Sequence, residues 1–387
     1  MTSLNKQNYI LKYCKQCLQP DTRPNEKFID GICSICRYYN SVSEVDWDIR
    51  YDQLKSYLRN RKKQSVKNSF QKFDCMIGVS GGKDSTRQAF WVRDKLGLNP
   101  LLWSLAYPPE QICKIGTENI SNLINQGFDL VVSSPAPETW RKLIREAFFK
   151  FSNHMRTSEL ALFSSVPQAA LAYKIPIIFW GETPLQVGDL GAVGKEGWDG
   201  NNMKNSNTLS SGHNWMLNMG FDQNQLIPYI YPEQSEFELQ DLQIIYLGWY
   251  LGDWSLANNA TYSNLNGLSN RENSPFETGD IHGTSALDDN WQIMNQMIKY
   301  YKFGFGFVTE IVCEDLQRGL MERQRGIDLI KKYDGKCSDQ YINSFCEFID
   351  ISVDHFWNHI RDSVNRELFE VRKNGEIIPK FNVGDSL

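Results

Sequence analysis

Two short stretches of this 387-residue chain carry residue types at spacings that could do chemistry. The first is Cys14, Cys17, Cys33 and Cys36, a C-x2-C-x15-C-x2-C pattern with Asp30-Gly31 as a tight turn before the second pair. Each C-x2-C turn aims two thiolates at one ion, and four sulfurs meet the tetrahedral preference of zinc. Sulfur then fills every position, so such a zinc is scaffolding that positions something else. A redox dithiol would need one pair alone, and two pairs at this distance argue against it. The second stretch is Val79-Ser80-Gly81-Gly82-Lys83-Asp84-Ser85. Its glycines let backbone amides approach phosphates, and a helix opening there adds a favourable dipole. Ser80 and Ser85 can donate hydroxyl hydrogen bonds, Lys83 can neutralise phosphate charge, and Asp84 can hold magnesium or cap the helix. Asp84 stands where a Walker A loop needs Ser or Thr, and no G-x-G-x-x-G dinucleotide fingerprint is present.

The elements that must position these residues read as an α/β fold. From Phe73 onward, apolar runs at Asp74–Val79, Pro100–Ala106, Phe128–Ser133 and Ile175–Trp180 read as buried strands. Asp84–Leu96, Ile115–Gln126, Thr139–Phe151 and Glu159–Tyr173 between them read as helices. That alternation points to a parallel sheet covered on both faces, to which Gln243–Tyr250 could add a strand. The expected organisation is a zinc ribbon over 1–45, a partly basic linker helix over 46–72 and an ATP-binding α/β domain over 73–255. A polar loop follows over 256–287, then a helical region over 288–387 with helices around Thr309–Leu320, Glu322–Tyr333 and Tyr341–Leu368. Gly188–Gly212 and Leu256–Ser285 are Asn-, Gly- and Ser-rich, and loops that long are usually functional lids or poorly ordered.

Composition narrows the class. Lys+Arg total 41 against 46 Asp+Glu, net charge -5, which excludes a generally basic nucleic-acid coat. Arg59, Arg61, Lys62, Lys63 and Lys67 form a local basic run that reads as a solvated helix face. Met1–Lys12 lacks an apolar signal core, and the longest weakly charged stretch, Leu160–Tyr173, is too short to span a bilayer. A cytoplasmic protein without membrane contact is expected. Cys75, Cys113, Cys313, Cys337 and Cys346 are scattered and read as small core hydrophobes. His355 and His359, four apart on a helix, read as a surface or core pair rather than a metal site; His154 could touch substrate.

S-G-G-K-D-S after the first strand of an α/β domain resembles the PP-loop of the ATP pyrophosphatases, which cleave ATP between the α and β phosphates. The resemblance implies that Ser80, Gly81, Gly82, Lys83, Asp84 and Ser85 cradle pyrophosphate and that Leu105 and Ala106, at the second strand end, meet adenine. A closer resemblance runs along nearly the whole chain. It joins the cysteine pairs and Pro20-Asp21-Thr22-Arg23-Pro24 to the loop, then to Phe179-Trp180-Gly181-Glu182 and Tyr246-Leu247-Gly248-Trp249-Tyr250. Lys302-Phe303-Gly304-Phe305-Gly306 and Lys332-Tyr333-Asp334-Gly335 complete it. Together these resemble the N-acetyl sugar amidotransferases of bacterial surface-glycan synthesis, in lipopolysaccharide O-antigen and pseudaminic or legionaminic acid pathways. That resemblance implies conversion of a sugar acetamido group to an acetamidino group with ATP, Mg2+ and ammonia.

Glu182 ends a strand, where open α/β sheets build sites, and with Lys83 and Asp84 completes the expected catalytic set. An N-terminal-nucleophile glutaminase needs a terminal Cys where this chain has Met1-Thr2, and none of the nine cysteines has Gly on both sides as a triad elbow needs. Ammonia is therefore expected as free ammonium or from a partner, and the resemblance implies glutaminase and cyclase-like subunits. Two other readings compete. A tRNA thiolase also joins cysteine metal sites to S-G-G-K-D-S, but the net charge is negative and no Cys pair lies in the nucleotide domain. A zinc-ribbon adaptor with a degenerate loop is at odds with the intact Ser80–Ser85.

Overall fold

The structure is a computed structural model and describes residues 9–42, 44–65, 72–182, 184–206, 209–210 and 212–384. Lys67 of the basic run and Thr183 after Glu182 lie outside the described residues, as do the side chains of Lys62 and Lys63.

Five parallel strands form the sheet: β1 (Cys75–Gly78), β2 (Pro100–Leu105), β3 (Leu130–Ser133), β4 (Ile177–Trp180) and β5 (Gln243–Tyr246), in the order β3-β2-β1-β4-β5. Their runs are apolar throughout because both faces are buried. Met76, Ile178 and Ile244 point into one core, while Cys75, Ile77, Phe179 and Ile245 point into the other. The fold is α/β, as its alternating pattern suggests. Helices α1 (Ser34–Val42) and α2 (Trp47–Ser65) precede the sheet. Four more, α3 (Lys83–Leu96), α4 (Lys114–Asn125), α5 (Pro137–Phe151) and α6 (Met155–Tyr173), cross between its strands.

Several expectations change. Helix α2 is no free linker: Leu54 is buried in the second core, Arg50 lies over the Trp249 ring at 3.7 Å, and Arg61 bonds the Pro176 carbonyl and pairs with Asp241. Arg61 thus anchors the helix, against a purely solvated basic face. The expected polar loop over 256–287 begins with a helix, α7 (Leu256–Leu265). Its sequence, LANNATYSNL, has weak helix propensity, and it forms because Ser255 caps it and because it packs along α3. The possible strand Gln243–Tyr250 stops at Tyr246 and turns through Leu247–Trp249. Gly188–Gly212 is in part a cover for the sheet edge, since Asp199 bridges Ile245 and the Gly200 amide bonds the Ile244 carbonyl.

The C-terminal region supplies α8 (Asn290–Phe303), α9 (Phe307–Gln317), α10 (Arg323–Tyr333), α11 (Asp339–Phe348) and α12 (Val353–Ser363). The single helix expected over Tyr341–Leu368 is broken at Asp350, whose φ of 55° ends α11. A hairpin, β6 (Phe369–Val371) with β7 (Ile377–Pro379), departs from the all-helical expectation. Nor is this region a separate body. Trp291, Phe345 and Phe356 join the sheet residues Met76, Leu101 and Ile178 in one core. A third core packs the four cysteines on Val308 and Val312 of α9, with Leu368 and Phe369. Among the described residues no helix is long and apolar enough to cross a membrane.

Candidate active site and metal centre

The four thiols converge. Cys14 and Cys36 sulfurs lie 3.8 Å apart and those of Cys17 and Cys33 3.7 Å, with all four ligand atoms within 4.8 Å of one another and buried. A tetrahedral ion with metal–sulfur bonds of about 2.3 Å needs an edge of about 3.8 Å, so the donors fit one ion of zinc's size. Amides of Gln19, Cys33 and Cys36 point at the sulfurs of Cys17, Cys14 and Cys33, the arrangement that stabilises thiolates. Hydrogen bonds from Cys17, Cys33 and Cys36 hold Cys14 far below the usual thiol range. Among the described residues this is the one group of three or more His, Cys, Asp or Glu so gathered. The knuckles are clamped from the far end of the chain. The Arg323 guanidinium reaches the carbonyls of Cys17 at 2.5 Å, Cys14 at 3.2 Å and Lys15 at 3.3 Å, and Gln317 donates to Cys36 at 3.5 Å.

The sheet reverses its winding direction between β1 and β4, and open α/β sheets bind ligands at that crevice. A cavity of about 520 Å³ opens there. Ser80, Gly82, Lys83, Asp84 and Ser85 line it from the β1–α3 turn, and Gly181 and Glu182 from the end of β4. The turn cannot be built otherwise. Gly81 has φ +87°, and a Cβ there would stand 2.4 Å from the Gly116 carbonyl oxygen; Gly116 in turn presses on the backbone of Leu287 and Asp288. Gly81 itself faces this packing and does not line the cavity. No side chain caps α3, so its N-terminal amides are left to a ligand. The Ser85 hydroxyl accepts from the Ser80 amide at 3.4 Å and donates to the Gly82 carbonyl at 3.2 Å, which fixes the loop.

Lys83 is buried. Burial opposes its charge, but Asp84, Glu314 and Glu182 together hold the ammonium above the ordinary lysine range. It pairs with Asp84 at 2.9 Å, and Asp84 accepts from the Asn259 side-chain amide at 2.6 Å. Asn259 is oriented by Arg87 at 2.6 Å, and Arg87 pairs with Asp253 at 2.7 Å. Helix α7 thus reaches into the site through Asn259, and the Ser263 hydroxyl bonds the Lys83 carbonyl at 2.6 Å. Asn259 escapes a reading of the sequence because its helix carries no periodic apolar signal, the Ser255 cap, three residues before Asn258, being the one local hint. Arg87 lies on the expected helix α3, but its partners come from the distant Asp253 and Asn259.

Glu182 keeps its surface toward the open cavity, with protein closing the rest. That enclosure, then the charge of Asp84, pushes its carboxyl up to about 7, while Lys83 and Trp180 pull the other way. Water in the cavity screens both effects until a ligand displaces it. Leu105 is buried in the core, and neither it nor Ala106 lines the cavity; Tyr107, one residue on, does. His154 is also absent from the lining. It is fully buried against Trp291 and Phe345, and burial takes its pKa down to about 3. His359 bonds the Phe148 carbonyl and Ser152, which uses its ring in packing rather than metal binding.

The opposite wall comes from distant segments. Arg23 and Gln19 of the cysteine-rich region, 2.9 Å apart, face Glu310 on α9, which pairs with Lys299 at 2.7 Å and Arg23 at 3.6 Å. Glu314, one turn further on, accepts from the Leu256 amide at 3.0 Å and so fixes the start of α7. Cys313 hydrogen-bonds Cys17 from outside the four and also lines the cavity. Asp84, beside the start of α3, is the carboxylate nearest the loop that could hold a hard cation brought in with phosphates.

Two solved structures are similar to this chain at low identity and low TM-score. The U34-tRNA thiolase NcsA from Methanococcus maripaludis with its [4Fe-4S] cluster is similar at 10% identity and TM-score 0.32, over 80% of this chain and 81% of that one. The NH3-dependent NAD synthetase from Campylobacter jejuni, in complex with the nitrate ion, is similar at 13% identity and TM-score 0.27, over 59% of this chain and 100% of that one. At these scores neither carries an argument about activity. No curated protein matches the chain. Residues 276–382, from just after α7 through the hairpin, match the family described as LPS biosynthesis protein WbpG-like, C-terminal domain.

Proposed function

We propose that this chain is an ATP-dependent enzyme of bacterial surface-glycan synthesis that converts an acetamido group of a sugar to an acetamidino group. The observation that carries the reading is the uncapped start of α3, with Lys83 and Asp84 beside it, opening into a cavity whose far wall is built in part by Glu310, Glu314 and Gln317 of the region similar to a glycan-synthesis family. An acetamide carbon is a poor electrophile with a poor leaving group. Attack of its oxygen on the α-phosphorus of ATP breaks the bond to pyrophosphate and makes AMP the leaving group. Ammonia then forms the new C–N bond as the C–O bond to AMP breaks. Lys83 and the amides of Gly82 and Lys83 would hold the departing pyrophosphate, and Asp84, oriented by Asn259, its magnesium. Glu182, exposed to the open cavity, would be the acid–base group, its carboxyl raised once a ligand displaces the cavity water and encloses it. Zinc in the four-cysteine site would act as scaffold, fixing Gln19 and Arg23 in the wall. A glutaminase with a cyclase-like subunit would deliver the ammonia, and the protein would work in the cytoplasm.

The test is incubation with ATP, magnesium, nitrogen-15 ammonium and a pool of bacterial N-acetyl sugars, following AMP and locating the label by fragmentation. Label on a former acetamido carbon with AMP release supports the reaction. AMP release only with tRNA and a sulfur donor, and no labelled sugar, would replace it with thiolation.

A further inference from the structure

A second, smaller chamber of about 150 Å³ shares Phe163, Trp180 and Glu182 with the main cavity, so the two adjoin along these residues. Its volume is under a third of the main cavity's, room for several water-sized molecules and too small for a nucleotide. Ala192, Met203 and Tyr246 form a buried, largely apolar wall, and the Tyr246 hydroxyl is occupied by the Ala192 carbonyl at 3.1 Å. Asp189 and Ser206, both half-buried, also line it. The Ser206 hydroxyl is shielded from solvent and has no hydrogen-bond partner among the described residues.

These features together select a small ligand that is a cation and hydrogen-bond donor outside and tolerates an apolar passage. Carboxylates at Asp189 and Glu182 attract positive charge, and the Ser206 oxygen can accept an N–H. A methyl or other acyl end of a sugar would have no use for either. We propose that this chamber is the route by which the nitrogen nucleophile enters, as ammonium at Asp189 and Ser206 and as ammonia beyond Glu182. The inference rests on the amidation reaction proposed above. At the junction the N–H bond of ammonium breaks and its proton passes to a Glu182 carboxylate oxygen, leaving neutral ammonia and a carboxylic acid. Ammonia then attacks the activated carbon, AMP leaves with the C–O bonding pair, and the product keeps the protons as an amidinium. Glu182 returns its proton to solvent. The raised carboxyl pKa places this exchange near neutrality, and the apolar wall favours the uncharged species.

The experiment narrows the chamber from sides that touch neither Lys83, Asp84 nor Glu182. Ala192→Leu and Ser206→Leu are compared with the unaltered protein, using ammonium chloride as the probe. Amidine formation is measured against ammonium, ATP and sugar, and sugar-dependent ATP–pyrophosphate exchange reports the first half-reaction alone. The expected result is a KM for ammonium raised roughly tenfold or more, with exchange and the other KM values within about twofold. Ser206 is half-buried, so its variant tests the route even where Ala192→Leu does not fold. An unchanged ammonium KM in folded Ser206→Leu overturns the route, and a raised sugar KM instead assigns the chamber to the sugar. If the unaltered protein makes no amidine from any sugar, the reaction itself fails and the route with it.

Discussion

The two walls of the cavity are built in opposite ways. The phosphate-facing wall comes from one turn, Ser80–Ser85, plus the end of a neighbouring strand, and its geometry follows from two glycines and a helix start. The facing wall takes Gln19 and Arg23 from the cysteine-rich region and Glu310, Glu314 and Gln317 from α9, brought together across some of the longest separations in the chain. A contiguous turn can be held by its own backbone. An assembled wall needs something to fix each segment, and here that is the four-cysteine centre on one side and the shared core on the other. In the reaction proposed above, phosphate chemistry would sit on the local wall and the choice of sugar on the assembled one.

This contrast can be broken most directly at Lys83. Lys83→Ala should cut AMP formation by roughly 10²–10³-fold, as loss of a charge-stabilising group at a reacting phosphate does, while bound metal stays at its original content. A loss of metal in that variant would mean that the walls are not independent. The second perturbation is at the other wall. Cys17→Ser should empty the metal centre and lower the thermal midpoint by several degrees, because a structural metal supplies folding free energy. Metal analysis and a melting curve read both, and retained metal would show that Cys17 is not a ligand. Asn259→Ala is the smallest of the three and sharpens the boundary. It should slow turnover roughly tenfold, as loss of an outer-shell partner does, and cost about 1–3 kcal/mol because Arg87 and Asp84 each lose a buried partner. Turnover and unfolding measured on one preparation separate the two effects.

The same contrast explains what was legible in the sequence. The sheet, its crossing helices and both chemical motifs are written in local patterns: apolar runs, a glycine pair and paired cysteines. Position in three dimensions was not. Helix α7 lies in an Asn-rich stretch whose helicity depends on packing along α3 and on capping by Ser255 and Glu314, so it reads as a loop. The merging of the C-terminal helices with the sheet core depends on Trp291, Phe345 and Phe356 meeting residues about two hundred positions earlier, which no periodicity encodes. Leu105 and Ala106 were one step short of Tyr107 because the strand's last residues turn inward before the chain reaches the cavity.

The Arg323 clamp on the cysteine knuckles has a consequence for the order in which the protein is made. The carbonyls of Cys14, Lys15 and Cys17 leave the ribosome well before the side chain that fastens them, which lies 306 to 309 positions further along the chain. The knuckles can take up metal early, yet their docking, and with it one wall of the cavity, must wait until Arg323 has emerged. Non-local closure of this kind is slow. A nascent chain, or one terminated before Arg323, therefore carries a complete Ser80–Ser85 turn without a finished cavity.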